Sequence, residues 1–101
     1  MTKIDHIAIL VDNVPRAVKW YLQNYDCKVK YKDDTWILLE FDNINLAVIS
    51  NRQNIHPPHI AVIDENLKKN DPAVIEHRDG SMGKYEHDGY GNFIERIKYK
   101  K

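Results

Sequence analysis

Cysteine is nearly absent. Cys27 stands alone, so the chain forms no internal disulfide and carries no CxxC redox or zinc motif. Long apolar runs are missing too. No stretch approaches the roughly 20 residues needed to span a bilayer, and Met-Thr-Lys-Ile-Asp leads straight into a strand pattern. Net charge is also lacking. Basic and acidic residues number 15 each, which argues against a general nucleic-acid or anionic-membrane binder. Lys98, Lys100 and Lys101 read as a solvated end of the chain. These absences point to a soluble cytoplasmic protein in which any metal site is built from His, Asp, Glu or Asn.

What is present suits one folded domain. At 101 residues, 43% of them apolar, the chain buries a modest core. Its organisation shows in a near-repeat: His6-Ile7-Ala8-Ile9-Leu10 opens the first half and His59-Ile60-Ala61-Val62-Ile63 opens the second. Residues 4–11 read as a strand with Ile7, Ile9 and Val11 on one face and His6 and Ala8 on the other. Asp12-Asn13 offers a helix cap, Pro15 suits the first turn, and Ala17, Val18, Tyr21, Leu22 and Tyr25 recur at helical spacing, predicting a helix over 14–25. Strands follow at Lys28–Lys32, Trp36–Phe41 and Ile44–Ser50, with turns at Asp33-Asp34 and Asp42-Asn43.

Residues 51–57 read as a linker, with Pro57-Pro58 imposing an extended approach to the next strand. The second half then resets. A strand over 58–63 precedes a short, poorly amphipathic helix or turn over 64–70. Strands over 73–77, 82–87 and 93–99 are joined by hairpin-type turns at Asp79-Gly80 and Gly91-Asn92. The expected fold is α+β, one domain over 1–101. Two β-α-β-β-β modules, about 1–50 and 58–101, pair their sheets into one curved cup, because half a chain this short buries too little alone.

The repeat also serves as a ruler for the face that holds chemistry. It matches His6 with His59 and Asn45 with Glu95, and places Ala8, Ala47 and Ala61 beside three of the four. Small neighbours leave room above inward polar groups. Two imidazoles and a carboxylate form a reasonable ligand set for Zn²⁺, Fe²⁺, Mn²⁺, Co²⁺ or Ni²⁺, with positions left open for water or substrate. Tyr85 and His87 alternate onto one face of their strand and serve as candidates to orient a substrate. His56 reads as a loop residue. His77-Arg78-Asp79-Gly80 reads as a strand end and turn, from which Arg78 is placed to reach an anionic substrate. Trp20 and Trp36 read as core or dimer-contact residues.

These residues resemble the vicinal oxygen chelate superfamily, which includes glyoxalase I, methylmalonyl-CoA epimerase, extradiol dioxygenases and bleomycin-resistance proteins. The resemblance runs over nearly the whole chain. It rests on Asp5-His6-Ile7-Ala8, Ala17-Val18-Lys19-Trp20-Tyr21, Pro58-His59-Ile60-Ala61 and the closing Asp88-Gly89-Tyr90-Gly91-Asn92-Phe93-Ile94-Glu95. The last is similar to the family's Asp-Pro-x-Gly-Asn ahead of a metal-binding glutamate, with Gly89 where the family has proline. The resemblance implies a glyoxalase-like fold with His6, His59 and Glu95 as ligands of a divalent metal ion. It puts the family's fourth ligand, Glu or Gln, on Asn45, a shorter and uncharged residue that weakens a glyoxalase I assignment. Extradiol dioxygenases, with a similar triad, carry twice as many modules.

The function implied is a small metal-dependent lyase, isomerase or dioxygenase acting on a molecule that chelates through adjacent oxygens. Glu95, Tyr85 and His87 are then the candidates for catalysis. The competing class is a non-enzymatic binder of the antibiotic-sequestering kind, using the same cup without turnover. A homodimer is expected in either case. Short edge strands need covering, and the helix carries Val14, Val18, Trp20, Tyr21, Leu22 and Tyr25, more apolar surface than one small sheet absorbs.

Overall fold

The computed structural model describes residues 1–52 and 56–100. It divides into two compact units: His6–Pro58 forms one, and Met1–Asp5 with His59–Lys101 forms the other. The strand β1 (Ile4–Val11) opens the chain and α1 (Val14–Asn24) follows it. Next come β2 (Lys28–Lys32), β3 (Trp36–Glu40) and β4 (Asn45–Ser50), then β5 (His59–Ile63), β6 (Ile75–Glu76), β7 (Met82–His87) and β8 (Phe93–Lys98). The part of the expected linker at 53–55 lies outside the described residues.

In the His6–Pro58 unit the strand order is β2-β3-β4-β1. β1 and β4 run parallel, while β2–β3 and β3–β4 are antiparallel, with a bulge between Val29 and Tyr31. Helix α1 starts where expected. Asn13 is the cap, its side chain accepting from the Arg16 N–H at 3.1 Å, and proline occupies the first turn. Val14 and Val18 face the sheet and bury against Ile37, Leu39 and Val48. The opposite sheet face carries Ala8, Leu38, Ala47 and Ile49, with Leu10, Tyr31 and Trp36 packed against them. Both faces of β3 are therefore covered, which is why Trp-Ile-Leu-Leu reads as an unbroken apolar run rather than an alternation.

In the other unit the order is β5-β8-β7-β6, with β5 parallel to β8 and the remaining pairs antiparallel. The N-terminal residues belong to it. The Lys3 carbonyl accepts from the Ile63 N–H at 3.0 Å, and the Tyr99 hydroxyl donates to Asp5.

Of the two alternatives for 64–70, a short helix or a turn, the structure has turns, and they run over 64–74. Leu67 is the one buried apolar residue there, so a helix would have no face to bury. The backbone N–H groups are taken locally instead. The Asp64 side chain accepts from Asn66, and Asp71 accepts from Ala73 through its side chain and from Val74 through its carbonyl. These Asp71 turns hold the chain out of the sheet through residue 74, so β6 is shorter than the expected 73–77. The Asp79-Gly80 turn forms as expected, with Gly80 at φ 86° and the His77 N–H donating to the Ser81 carbonyl at 2.9 Å.

Candidate functional site

Strand register, not distance along the chain, decides which residues share a face. In the second unit, Ala61 partners Glu95 across β5–β8 and Tyr85 partners Glu95 across β7–β8. His59 partners Phe93, which in turn partners His87. His59, Tyr85, His87 and Glu95 therefore occupy one face. Glu95 is the deepest of them, 2% exposed, and His59 is 6% exposed.

The carboxylate of Glu95 is held at both oxygens. Oε1 stands 3.2 Å from His59 Nε2, and Oε2 stands 2.7 Å from His77 Nε2. His77 reaches it from the turn after β6, across Gly83. A Cβ at position 83 would lie 2.3 Å from Glu95 Oε2 and 2.5 Å from His77 Nε2, so only glycine leaves the bridge intact. Tyr85 meets the His59 ring edge-on, with centroids 5.1 Å apart. Burial pushes the Tyr85 phenol well above its ordinary range, and the Glu95 charge adds to the effect. Tyr85 thus keeps its proton at neutral pH, where its hydroxyl can donate a hydrogen bond. His87 is exposed and packs on Phe93 with ring centroids 4.4 Å apart.

His77 escaped the motif reading, which took it for a strand end. A signal was present: Gly83, alone inside a strand, marks a close approach of other groups.

In the first unit His6 is buried on β1, 7% exposed, and its partner on β4 is Asn45. This register corrects the expected match of Asn45 with Glu95. His6 pairs with Asn45 and Ala8 with Ala47, whereas His59 pairs with Phe93 and Ala61 with Glu95. The residue equivalent to Glu95 is therefore Ala47, and Asn45 corresponds to Phe93. The two modules differ in length between first and last strands, which shifted the sequence ruler by one same-face step. Ala47 offers no ligand atom; Asn45, the fourth ligand by resemblance, lies beside His6 on the neighbouring strand.

Other candidates stand apart. Arg78 is exposed in its turn and His56 lies in the bend before β5. Trp36 packs against Tyr31 with centroids 4.7 Å apart, and Trp20 is 51% exposed on α1. No helix among the described residues is long and apolar enough to cross a membrane.

This arrangement of strands, with one helix, is the α+β fold of the vicinal oxygen chelate, or glyoxalase-like, proteins, as the sequence resemblance implies. Among solved structures, a hypothetical protein of Bacillus halodurans matches with a TM-score of 0.80 and 15% identity, covering 99% of this chain and 96% of that one. A methylmalonyl-CoA epimerase of Streptomyces coelicolor, in complex with 2-nitronate-propionyl-CoA, matches at 0.78 and 17% identity over 96% of each chain. The Mycobacterium tuberculosis methylmalonyl-CoA epimerase matches at 0.74 and 15% identity, covering 97% of this chain and 88% of that one. No protein-family model matches the sequence, and no curated protein does.

Proposed function

We propose that the chain is a metal-dependent enzyme of the isomerase kind, moving a proton at a carbon beside a carbonyl. Its substrate is a small molecule that chelates through two nearby oxygens, such as an α-keto, hydroxy-keto or acyl-carboxylate compound. His6, His59 and Glu95 hold the ion, each buried and each offering one ligand atom. The observation that carries this is Glu95, a carboxylate whose side chain is 3% exposed and fixed between two imidazoles. A buried carboxylate demands a cationic or strongly hydrogen-bonding partner. The spacing of His59 and Glu95 also fits an ion. Two ligands about 2.0–2.1 Å from one tetrahedral centre stand about 3.3 Å apart, and His59 Nε2 and Glu95 Oε1 are 3.2 Å apart.

When bound, a divalent ion supplies Lewis acidity toward a carbonyl oxygen and so lowers the cost of taking a proton from the adjacent carbon. The chain supplies the rest. Glu95 is held at both oxygens and serves as ligand, not as a mobile base. Tyr85, protonated at neutral pH, donates a hydrogen bond that orients the substrate. His87, on the same face and exposed, carries the proton. The kinship of fold with methylmalonyl-CoA epimerases supports this reaction class.

Protein purified without a His-tag is expected to retain about one divalent ion per chain, and the His6→Ala/His59→Ala variant none. Wild type incubated in D₂O with methylmalonyl-CoA or a hydroxy-ketone panel is expected to exchange the α-proton of at least one compound. Equal, negligible metal in both proteins refutes the proposal.

A second reading has one observation in its favour. Ala47, which offers no ligand atom, matches Glu95 in register, beside an apolar face bearing the packed Tyr31–Trp36 pair. A sequestering binder uses such a face to hold a flat apolar molecule. It binds its ligand equally well after chelator treatment and turns nothing over, whereas the enzyme loses activity to the chelator.

A further inference from the structure

Glu95 has two oxygens with different neighbours, and one of those neighbours is a residue with no expected part in the site. We propose that His77 is a positioning residue: its Nε2–H donates to Glu95 Oε2, so that Glu95 meets a metal ion through Oε1 alone. The inference rests on the proposed metal site and specifies how its carboxylate ligand is held.

The two distances differ in length. At 2.7 Å, His77 Nε2 and Glu95 Oε2 are at the separation of a charge-assisted N–H···O bond. At 3.2 Å, His59 Nε2 and Glu95 Oε1 are at the long end of hydrogen-bond range, a separation that two ligands of one ion also have. The imidazole side chain of His77 is 18% exposed, so its bond is partly shielded from competing water.

The surrounding chain is built to keep this bridge. Gly83 has an ordinary φ, since the positive-φ glycines are Gly80, Gly89 and Gly91. Its missing side chain is therefore explained by space, and the space is filled by the two bonded atoms. The turn that delivers His77 is tied down as well. The His77 N–H donates to the Ser81 carbonyl, and the Gly80 N–H donates to the His77 carbonyl at 3.0 Å. Ser81, 2% exposed, donates from both its N–H and its hydroxyl to Asp79 Oδ1, at 2.9 and 2.6 Å. A ligating carboxylate with a free second oxygen rotates or chelates through both. One with the second oxygen occupied presents a single atom in a set direction, and outer partners of this kind typically change metal affinity by about 10–100-fold.

The test uses Co(II) as probe on the full chain. His77→Leu, which cannot donate, is expected to bind Co(II) about 10–100-fold more weakly than wild type. His77→Gln, whose amide can donate from a similar position, is expected to recover most of that loss with the wild-type visible spectrum. In the metal-free wild type, long-range ¹H–¹⁵N correlation is expected to find the His77 proton on Nε2. Equal Co(II) affinity in wild type and His77→Leu overturns the inference alone. So does a His77→Gln spectrum altered in intensity, which would make His77 a ligand, or a proton found on Nδ1 with Nε2 bare. Absence of Co(II) binding by wild type overturns the metal site and the inference with it.

Discussion

Replacing Gly83 with alanine separates space from conformation, because nothing in the backbone there requires glycine. The new Cβ would fall 2.3 Å from Glu95 Oε2 and 2.5 Å from His77 Nε2. Both atoms end flexible side chains and can swing away, so little of the cost is steric. The cost is the bond itself. A hydrogen bond to a charged group contributes about 1.5–3 kcal/mol, and Glu95 is too buried for water to replace it. Against this, removing a mid-strand glycine returns about 0.5–1 kcal/mol of chain entropy. The net loss is about 1–2 kcal/mol, which lowers Tm by roughly 5–15 °C in a domain of this size.

Thermal and urea unfolding of metal-free Gly83→Ala, His77→Leu and the double variant measure the effect. Once His77 no longer bridges, alanine at 83 has less to break, and the two substitutions are expected to couple by about 0.5–3 kcal/mol. Strict additivity, or an unchanged Tm in Gly83→Ala, would show that Gly83 does not exist to admit the bridge.

Leu39, 0% exposed between α1 and the sheet, is expected to lose about 2–5 kcal/mol on truncation to alanine; a urea midpoint near wild type contradicts that packing. The Tyr85 phenol is raised above its ordinary value of 10.0, chiefly by burial, with the Glu95 charge adding. The unfolded chain therefore releases this proton first: stability is intact below pH 10 and falls as pH rises beyond it. Absorbance at 295 nm is expected to show Tyr85 ionising only as the protein unfolds, and an alkaline limb identical in the Tyr85→Phe variant refutes the assignment. Sedimentation at micromolar concentration is expected to report a homodimer in which Trp20, stacked edge-on with Tyr21 and Tyr25, loses exposure; a single 11.9 kDa species rules the dimer out.

Local structure was written in the order of residues because its causes are local. The period-two pattern of β1, the Asn13 cap with proline behind it and the three- and four-residue steps of Val14, Val18 and Tyr21 each involve only a few neighbours. Strands β1, β2 and β7 accordingly begin and end where the pattern predicts. Tyr85 and His87 share a face for the same reason: alternation along a strand is a property of its own backbone.

Pairing between distant segments was another matter. The partner of His6 or of Glu95 depends on hydrogen-bond register across strands, and unequal connections moved that register until Ala47, not Asn45, matched Glu95. The choice between helix and turn at 64–70 was decided by burial, since one leucine, Leu67, offers no face to cover. His77 was invisible for a related reason. Its chemistry comes from a turn that carries it over Gly83 to a carboxylate far along the chain, and only the folded backbone brings a turn residue and a strand residue within hydrogen-bonding distance.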